Sequence, residues 1–127
     1  MVLGIMRFTM LSFQNRFHGH GALRYVYKNG TAKYGSMMTI KSVANDRRKT
    51  PRIAVVIGKK ILKSAVGRNR IRRRIYELLR DELHTLRPNS DIVCIVTSSE
   101  ARAIDHDALR SEVKALLREA KLYDNTV

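Results

Sequence analysis

The residues with the clearest chemical capacity form one strongly basic stretch, Lys59 to Arg80. It contains nine Lys and Arg against a single acid, Glu77. Such a density of like charge is tolerated when the side chains face water or meet an anionic partner. The basic residues are Lys59, Lys60, Lys63, Arg68, Arg70, Arg72, Arg73, Arg74 and Arg80. Their chemistry is the binding of phosphates, and the rest of the chain is interpreted as the scaffold that presents them.

The whole chain shares this charge bias. Its 127 residues include 25 Lys and Arg against 11 Asp and Glu, which gives a formal net charge of +14. Apolar residues make up 44%, enough for an ordinary core and too many for a disordered basic tail. Nucleic acid is the commonest polyanionic partner. A membrane surface and a basic protein without a specific partner remain alternatives, but no apolar run approaches the roughly 20 residues of a spanning helix.

No pattern for catalysis by protein side chains is visible. The sequence contains no GxSxG, P-loop or HExxH motif. The acid Glu77 is expected to pair with Arg73 and Arg74 along a helix, and a metal-dependent nuclease acting alone would need several converging carboxylates. His18 and His20 flank a glycine without a third ligand, which is typical of surface residues. We therefore predict neither catalytic residues nor a metal site in the protein.

Hydrophobic periodicity predicts the elements that position the basic stretch. Helices are expected at about 19–29, 65–86 and 107–122, and strands at 36–44, 52–57 and 91–97, with a very short strand also allowed at 60–62. This order indicates a single α+β domain, one sheet with helices packed on it. The crossover through the long helix would be right-handed by the general rule. Cys94, the only cysteine, is expected to be buried in the last strand, in keeping with a reducing cytoplasm.

The long helix combines packing and charge. Its apolar stripe consists of Ile71, Ile75, Leu78, Leu79 and Leu86. On a helical wheel Arg73 and Tyr76 fall roughly opposite the stripe, whereas Arg68 falls close to it, where an apolar residue is expected. A helix N-terminus favours anions, and departures from local rules tend to be functional. The alternative is that the first turn projects past the core into water.

RNA is favoured over duplex DNA, because no helix-turn-helix, zinc finger or zipper is present. A sheet beside a basic helix is a common RNA-binding arrangement. Phe17, Tyr25, Tyr27 and Tyr34 offer faces on which unpaired bases can stack. The alternative for these aromatic residues is core packing, and for Tyr27 the two interpretations carry equal weight.

The segment AVGRNRIRRRIYE, residues 65–77, resembles the RNR signature of the bacterial ribonuclease P protein component. The matching positions are Arg68, Asn69, Arg70, Ile71, Arg72, Arg73 and Glu77. Tyr76 departs from the signature, since a basic residue is usual there. Upstream, RIAVVIGKKILKSAV resembles the strand-and-lysine segment of the family, with Lys59 and Lys60 in place. The similarity extends over about Leu11 to Tyr123.

This resemblance implies a two-layer α+β domain of order α-β-β-(β)-α-β-α. It also implies a left-handed strand–helix–strand crossover, a known exception that replaces the right-handed expectation. The family-like domain would cover residues 10–123, after a loose extension at 1–9 and before a frayed tail at 124–127.

The resemblance further implies a protein subunit of ribonuclease P, a cytoplasmic ribonucleoprotein that removes the 5′ leader of precursor tRNA. The RNA subunit, with Mg²⁺, would perform the hydrolysis. By matched position, the residues contacting the RNA subunit would be Arg68, Asn69, Arg70, Arg72 and Arg73. The leader cleft would be lined by Leu23, Tyr27, Met38, Lys41, Lys59 and Lys60. No membrane and no obligate protein partner are expected, and the alternative is a ribosomal or other structural RNA-binding protein of similar fold.

Overall fold

A computed structural model describes residues 13–124 as three α-helices and a four-stranded sheet. The helices are α1 (Gly21–Asn29), α2 (Ala65–Glu82) and α3 (His106–Glu119), and the strands are β1 (Thr31–Tyr34), β2 (Met38–Ala44), β3 (Arg52–Ile57) and β4 (Ser90–Val96). Short 3-10 turns occur at Phe13–Asn15, Leu83–Thr85 and Ser99–Arg102. The predicted extension at 1–9 and residues 125–127 of the predicted tail lie outside the described residues.

The sheet has the strand order β1-β2-β4-β3. The pairs β1–β2 and β2–β4 are antiparallel, whereas β3 and β4 run parallel and are joined through α2. The α+β prediction with a strand–helix–strand crossover is therefore confirmed. The left-handed sense of that crossover stays a prediction.

One expectation about the strands was wrong, and one strand was not predicted. Residues 60–62 belong to a turn after β3, because the chain leaves the sheet at Gly58. The additional strand is β1 instead, which the hydrophobic periodicity does not predict. It has only four residues, of which Thr31 and Lys33 are polar, so it shows no long alternating pattern. Its partner β2, which pairs Tyr34 with Thr39, stabilises it.

The two faces of the sheet have different partners. Side chains alternate along a strand, and the register places Ile40, Val55 and Cys94 on one face, where they are buried in the core beneath α2 and α3. The other face carries Lys41 and Val93 and contacts α1. The prediction of a buried Cys94 is confirmed, and burial raises the pKa of its thiol to about 12.

The outer edge of β3 is covered by two segments. The backbone of Arg16 pairs in parallel with Ile53, and the Asn15 side chain donates a hydrogen bond of 2.8 Å to the carbonyl of Pro51. The backbone N–H of Val55 donates to the Tyr76 hydroxyl at 3.0 Å. Tyr76 therefore packs against the sheet, and the prediction that it lies opposite the apolar stripe was wrong. Its long side chain reaches the strand from the flank of α2.

Candidate nucleic-acid interface

The start of α2 is fixed by two sets of hydrogen bonds. The Ser64 hydroxyl accepts a bond of 3.0 Å from the N–H of Gly67, as an N-cap does. Nη1 of Arg68 donates to the carbonyl oxygens of Leu62 and Lys63 at 2.9 Å and 2.7 Å. Arg68 lies near the packed side of the helix, as the wheel predicted. Its side chain ties the preceding loop, which carries the lysines, to the first turn of α2.

The outward face of the same turns presents cations. Arg70 and Arg73 are exposed, and neither side chain makes a hydrogen bond or an ion pair within residues 13–124. Nη1 of Arg72 donates to Oδ1 of Asn69 at 2.6 Å, which aligns those two side chains. We call Arg68, Asn69, Arg70, Arg72 and Arg73 the RNR surface. The structure places all five on the first half of α2, and the arrangement is suited to phosphate contacts.

Arg74 has a structural role. Its Nη1 donates to the carbonyl of Ala101 at 2.8 Å and its Nη2 to the carbonyl of Ile104 at 2.6 Å. These bonds tie α2 to the segment that leads into α3. The expected pairing of Arg73 and Arg74 with Glu77 is absent from the described residues.

A second candidate surface lies where α1 crosses the sheet. Nζ of Lys41 donates to the carbonyl of Tyr27 at 2.8 Å and lies 5.6 Å from the centroid of the Tyr27 ring. Leu23 and Tyr27 line a shallow concavity of about 310 Å³ along α1, together with His20 and Arg24. Partial burial raises the pKa of the Tyr27 hydroxyl. The structure thus brings together three predicted cleft residues: Leu23, Tyr27 and Lys41.

Met38 is not part of this surface, contrary to the prediction. Its side chain is fully buried on the opposite face of the sheet, where its Sδ accepts a hydrogen bond of 3.4 Å from the Cys94 thiol. Residues three apart in a strand point to opposite faces, so Met38 and Lys41 cannot line one surface. Met38 shares its face with Ile40, and the adjacent residue Thr39 lies on the α1 face instead.

The register adds Tyr34 to the second surface. Tyr34 pairs with Thr39, so both project from the α1 face, and the Tyr34 side chain is 75% exposed. We call Leu23, Tyr27, Tyr34, Thr39 and Lys41 the cleft surface. From the sequence alone Tyr34 is only a general stacking candidate, because β1 is not predicted. A strand assignment at residues 31–34 is the signal that would have found it.

The remaining predicted residues, Lys59, Lys60 and Phe17, lie outside the cleft surface. Lys59 and Lys60 are exposed in the turn after edge strand β3, and the structure shows no contact between them and the cleft surface. Phe17, a stacking candidate, lies under the guanidinium of Arg52 at 4.9 Å. Arg52 in turn forms two bonds of 2.8 Å to the buried carboxylate of Asp91. Phe17 therefore packs against a side chain of edge strand β3.

Comparison with known proteins decides the family. The sequence model of the family described as Ribonuclease P matches residues 11–121. The chain belongs to the ribonuclease P protein family. A ribonuclease P protein component of Pseudanabaena sp. is 30% identical over 113 residues, which cover 89% of this chain and 97% of the relative. One of Synechococcus sp. is 32% identical over 122 residues, with coverage of 92% and 90%.

Solved structures of ribonuclease P proteins share the fold. The protein of Staphylococcus aureus matches with a TM-score of 0.76 at 21% identity, covering 87% of this chain and 98% of that chain. The protein of Thermotoga maritima matches with a TM-score of 0.72 at 20% identity, covering 82% and 96%.

Members of the ribonuclease P protein family are the protein components of a ribonucleoprotein endoribonuclease that matures the 5′ ends of tRNA. The chain serves this activity as a subunit. Among residues 13–124, no three His, Cys, Asp or Glu side chains come together as a metal-binding group. No helix in that part of the chain is long and apolar enough to cross a membrane.

Proposed function

We propose that this ribonuclease P protein binds the catalytic RNA subunit through the RNR surface and the 5′ leader of precursor tRNA through the cleft surface, in the cytoplasm. Hydrolysis is assigned to the RNA subunit with Mg²⁺, and the protein residues bind and orient the two RNAs. The observation that carries the proposal is the location of two kinds of residue on different elements. The exposed arginines Arg70 and Arg73 lie on α2, whereas the exposed Tyr34 and the half-buried Lys41 lie on the α1 face of the sheet.

The RNR surface has the properties of a phosphate-binding site. Arg70 and Arg73 are exposed cations without partners among the described residues, so binding RNA breaks no internal ion pair. Each phosphate that such a side chain neutralises releases counterions. Arg68 supports the site from behind by holding the loop with Lys59 and Lys60 against the helix. Those lysines extend the positive charge beyond the edge of the sheet.

The cleft surface suits an unpaired strand. Tyr34 offers an open aromatic face on which a base can stack. Lys41 keeps two N–H donors beyond the one that bonds Tyr27, and these can meet a phosphate of the same strand. The 5′ leader of precursor tRNA is single-stranded, which matches this combination of stacking and charge.

The test compares two exposed tyrosines, Tyr34 and Tyr25, which are 75% and 56% exposed. Tyr25 borders a different groove, between α1 and the turn at 45–47. We expect Tyr34→Ala to weaken binding of leader-bearing precursor tRNA by about 1–3 kcal/mol, a typical stacking contribution. Tyr25→Ala serves as the matched control and should bind like the wild type.

The measurement is the dissociation constant of the reconstituted holoenzyme for precursor tRNA with its leader and for the same RNA trimmed at the 5′ end. Trimming should remove the difference between the wild type and Tyr34→Ala. An equal loss for both substrates, or an equal effect of Tyr25→Ala, would contradict the leader assignment.

A further inference from the structure

A second basic surface lies at the opposite end of α2 from the RNR surface. Four exposed cations, Arg87, Lys114, Arg118 and Lys121, line a concavity of about 620 Å³. We call these four residues the C-terminal basic patch. They come from two segments far apart in sequence, and three of them follow a helical spacing of four and three residues along α3 and its end.

The patch contains little negative charge. Glu82 is the one carboxylate among the residues lining the concavity. It accepts a hydrogen bond of 3.2 Å from the Tyr123 hydroxyl and pairs with Lys114 at 3.4 Å. Arg87, Arg118 and Lys121 form no ion pair with any residue between 13 and 124. Three cations therefore remain available to an anionic partner.

The backbone beneath the patch is tied together. The N–H of Arg87 donates to the carbonyl of Leu122 at 2.8 Å, and Nε of Arg87 donates to the carbonyl of Lys121 at 2.9 Å. Leu86 also pairs with Tyr123 in an isolated antiparallel bridge. The segment after α2 and the segment after α3 thus hold each other in place, so binding would order little additional chain.

Lys121 adopts a conformation that a lysine does not prefer. Its φ is +58°, in the left-handed region that usually holds glycine at the end of a helix. The N–H of Leu122 donates back to the carbonyl of Leu117 at 3.0 Å, which closes the helix end around Lys121. A glycine would adopt this backbone conformation without strain. A lysine here costs conformational energy, and no packing requirement of the fold explains why the position holds a cation.

The chemistry of the patch favours a phosphate backbone over unpaired bases. The exposed large hydrophobic residues among those described are Tyr25, Tyr34 and Val66, and none lies here. Tyr123 is half-buried and its hydroxyl is bonded to Glu82. With charge but no open stacking face, the patch is suited to helical RNA, whose phosphates are exposed and whose bases are paired.

The distance between the two basic surfaces identifies the size of the partner. Along α2, Glu82 at the edge of the patch lies about 14–21 Å beyond the residues of the RNR surface, at a rise of 1.5 Å per residue. A folded RNA can reach across that length, whereas a single contacted phosphate group cannot. The catalytic RNA subunit, the proposed partner of the RNR surface, is therefore the candidate partner for both surfaces.

We propose that the C-terminal basic patch binds the phosphate backbone of a helical segment of the catalytic RNA subunit, at the opposite end of α2 from the segment bound by the RNR surface. The inference rests on the proposed binding of that RNA through α2. It adds a second point of attachment, which would fix the orientation of the protein on the RNA.

The experiment measures the affinity of the full chain for the catalytic RNA alone over a series of salt concentrations. The test variant is Arg118→Gln with Lys121→Gln, and the matched control is Arg47→Gln with Lys49→Gln, two exposed cations of the 45–51 loop. We expect the test variant to reduce the slope of log K against log salt by about two, while the control keeps the wild-type slope.

A second variant separates binding from folding. Lys121→Gly removes the charge and relieves the left-handed backbone, so its melting temperature should equal or exceed that of the wild type. Its salt slope should fall by about one. A slope equal to the wild type in both variants would overturn the inference, as would a loss confined to precursor tRNA binding. Failure of the proposed function would give a different result from failure of this inference, because the wild type itself would then not bind the catalytic RNA.

Discussion

At the scale of single residues, the arginines of the RNR surface do different work. The guanidinium of Arg68 donates hydrogen bonds to two loop carbonyls. The side chains of Arg70 and Arg73 instead face outward without partners among the described residues. The RNR motif identified the segment but could not separate these roles, because they depend on where the preceding loop folds back. Met38 shows a similar limit, since the face of a strand is decided by its register with β4.

We expect Arg70→Ala with Arg73→Ala to weaken binding of the catalytic RNA and to reduce the salt slope by about two, with an unchanged melting temperature. Arg68→Ala should instead lower the melting temperature, because two carbonyls lose their donor. Filter binding over a salt series and thermal unfolding distinguish the two. An unchanged slope in the double variant would show that these arginines do not contact phosphates.

At the scale of elements, α2 is positioned by what it contacts on each flank. Tyr76 binds the edge of β3, and Arg74 binds the segment before α3. Periodicity predicted the helices and three strands well, because their apolar stripes are long. It missed β1, whose four residues depend on pairing with β2. It also placed Tyr76 opposite the apolar stripe, since a wheel ignores the reach of a long side chain.

The Tyr76 hydroxyl should contribute to stability and not to RNA binding. Tyr76→Phe leaves the N–H of Val55 without its acceptor, and we expect a loss of about 1–2 kcal/mol in the free energy of unfolding. Urea denaturation measures this loss. The affinity for the catalytic RNA should equal that of the wild type, and a clear decrease would mean that the hydroxyl, in this unusual position of the motif, takes part in binding.

At the scale of the whole molecule, the described residues form one sheet with helices on both faces, and the proposed RNA-binding surfaces lie on separate elements. One face of the sheet holds the core, with Cys94 at its centre, and the other face, beside α1, carries the cleft surface. The basic stretch and the family resemblance predicted two separate sets of RNA-binding residues, one on the long helix and one in a cleft. It could not show the C-terminal basic patch, because Arg87 meets Lys121 only in the folded chain.

The buried Cys94 thiol links the stability of the core to alkaline pH. Burial raises its pKa from 9.0 to about 12, so the folded state holds the proton more tightly than the unfolded state. Its contribution is fully present below pH 9 and is lost as pH rises towards 12. We expect Cys94→Ala to show a shallower decrease in the free energy of unfolding over this range than the wild type. Parallel profiles of the two proteins would contradict this assignment.

The central claim is that the chain acts as the protein subunit of ribonuclease P through its RNR surface. The most direct test is the rate of precursor tRNA cleavage by a bacterial catalytic RNA at low Mg²⁺, with and without the purified protein. We expect strong stimulation by the wild type and by the Arg47→Gln with Lys49→Gln control, and weak stimulation by Arg70→Ala with Arg73→Ala at limiting protein. The absence of stimulation by the wild type would contradict the account.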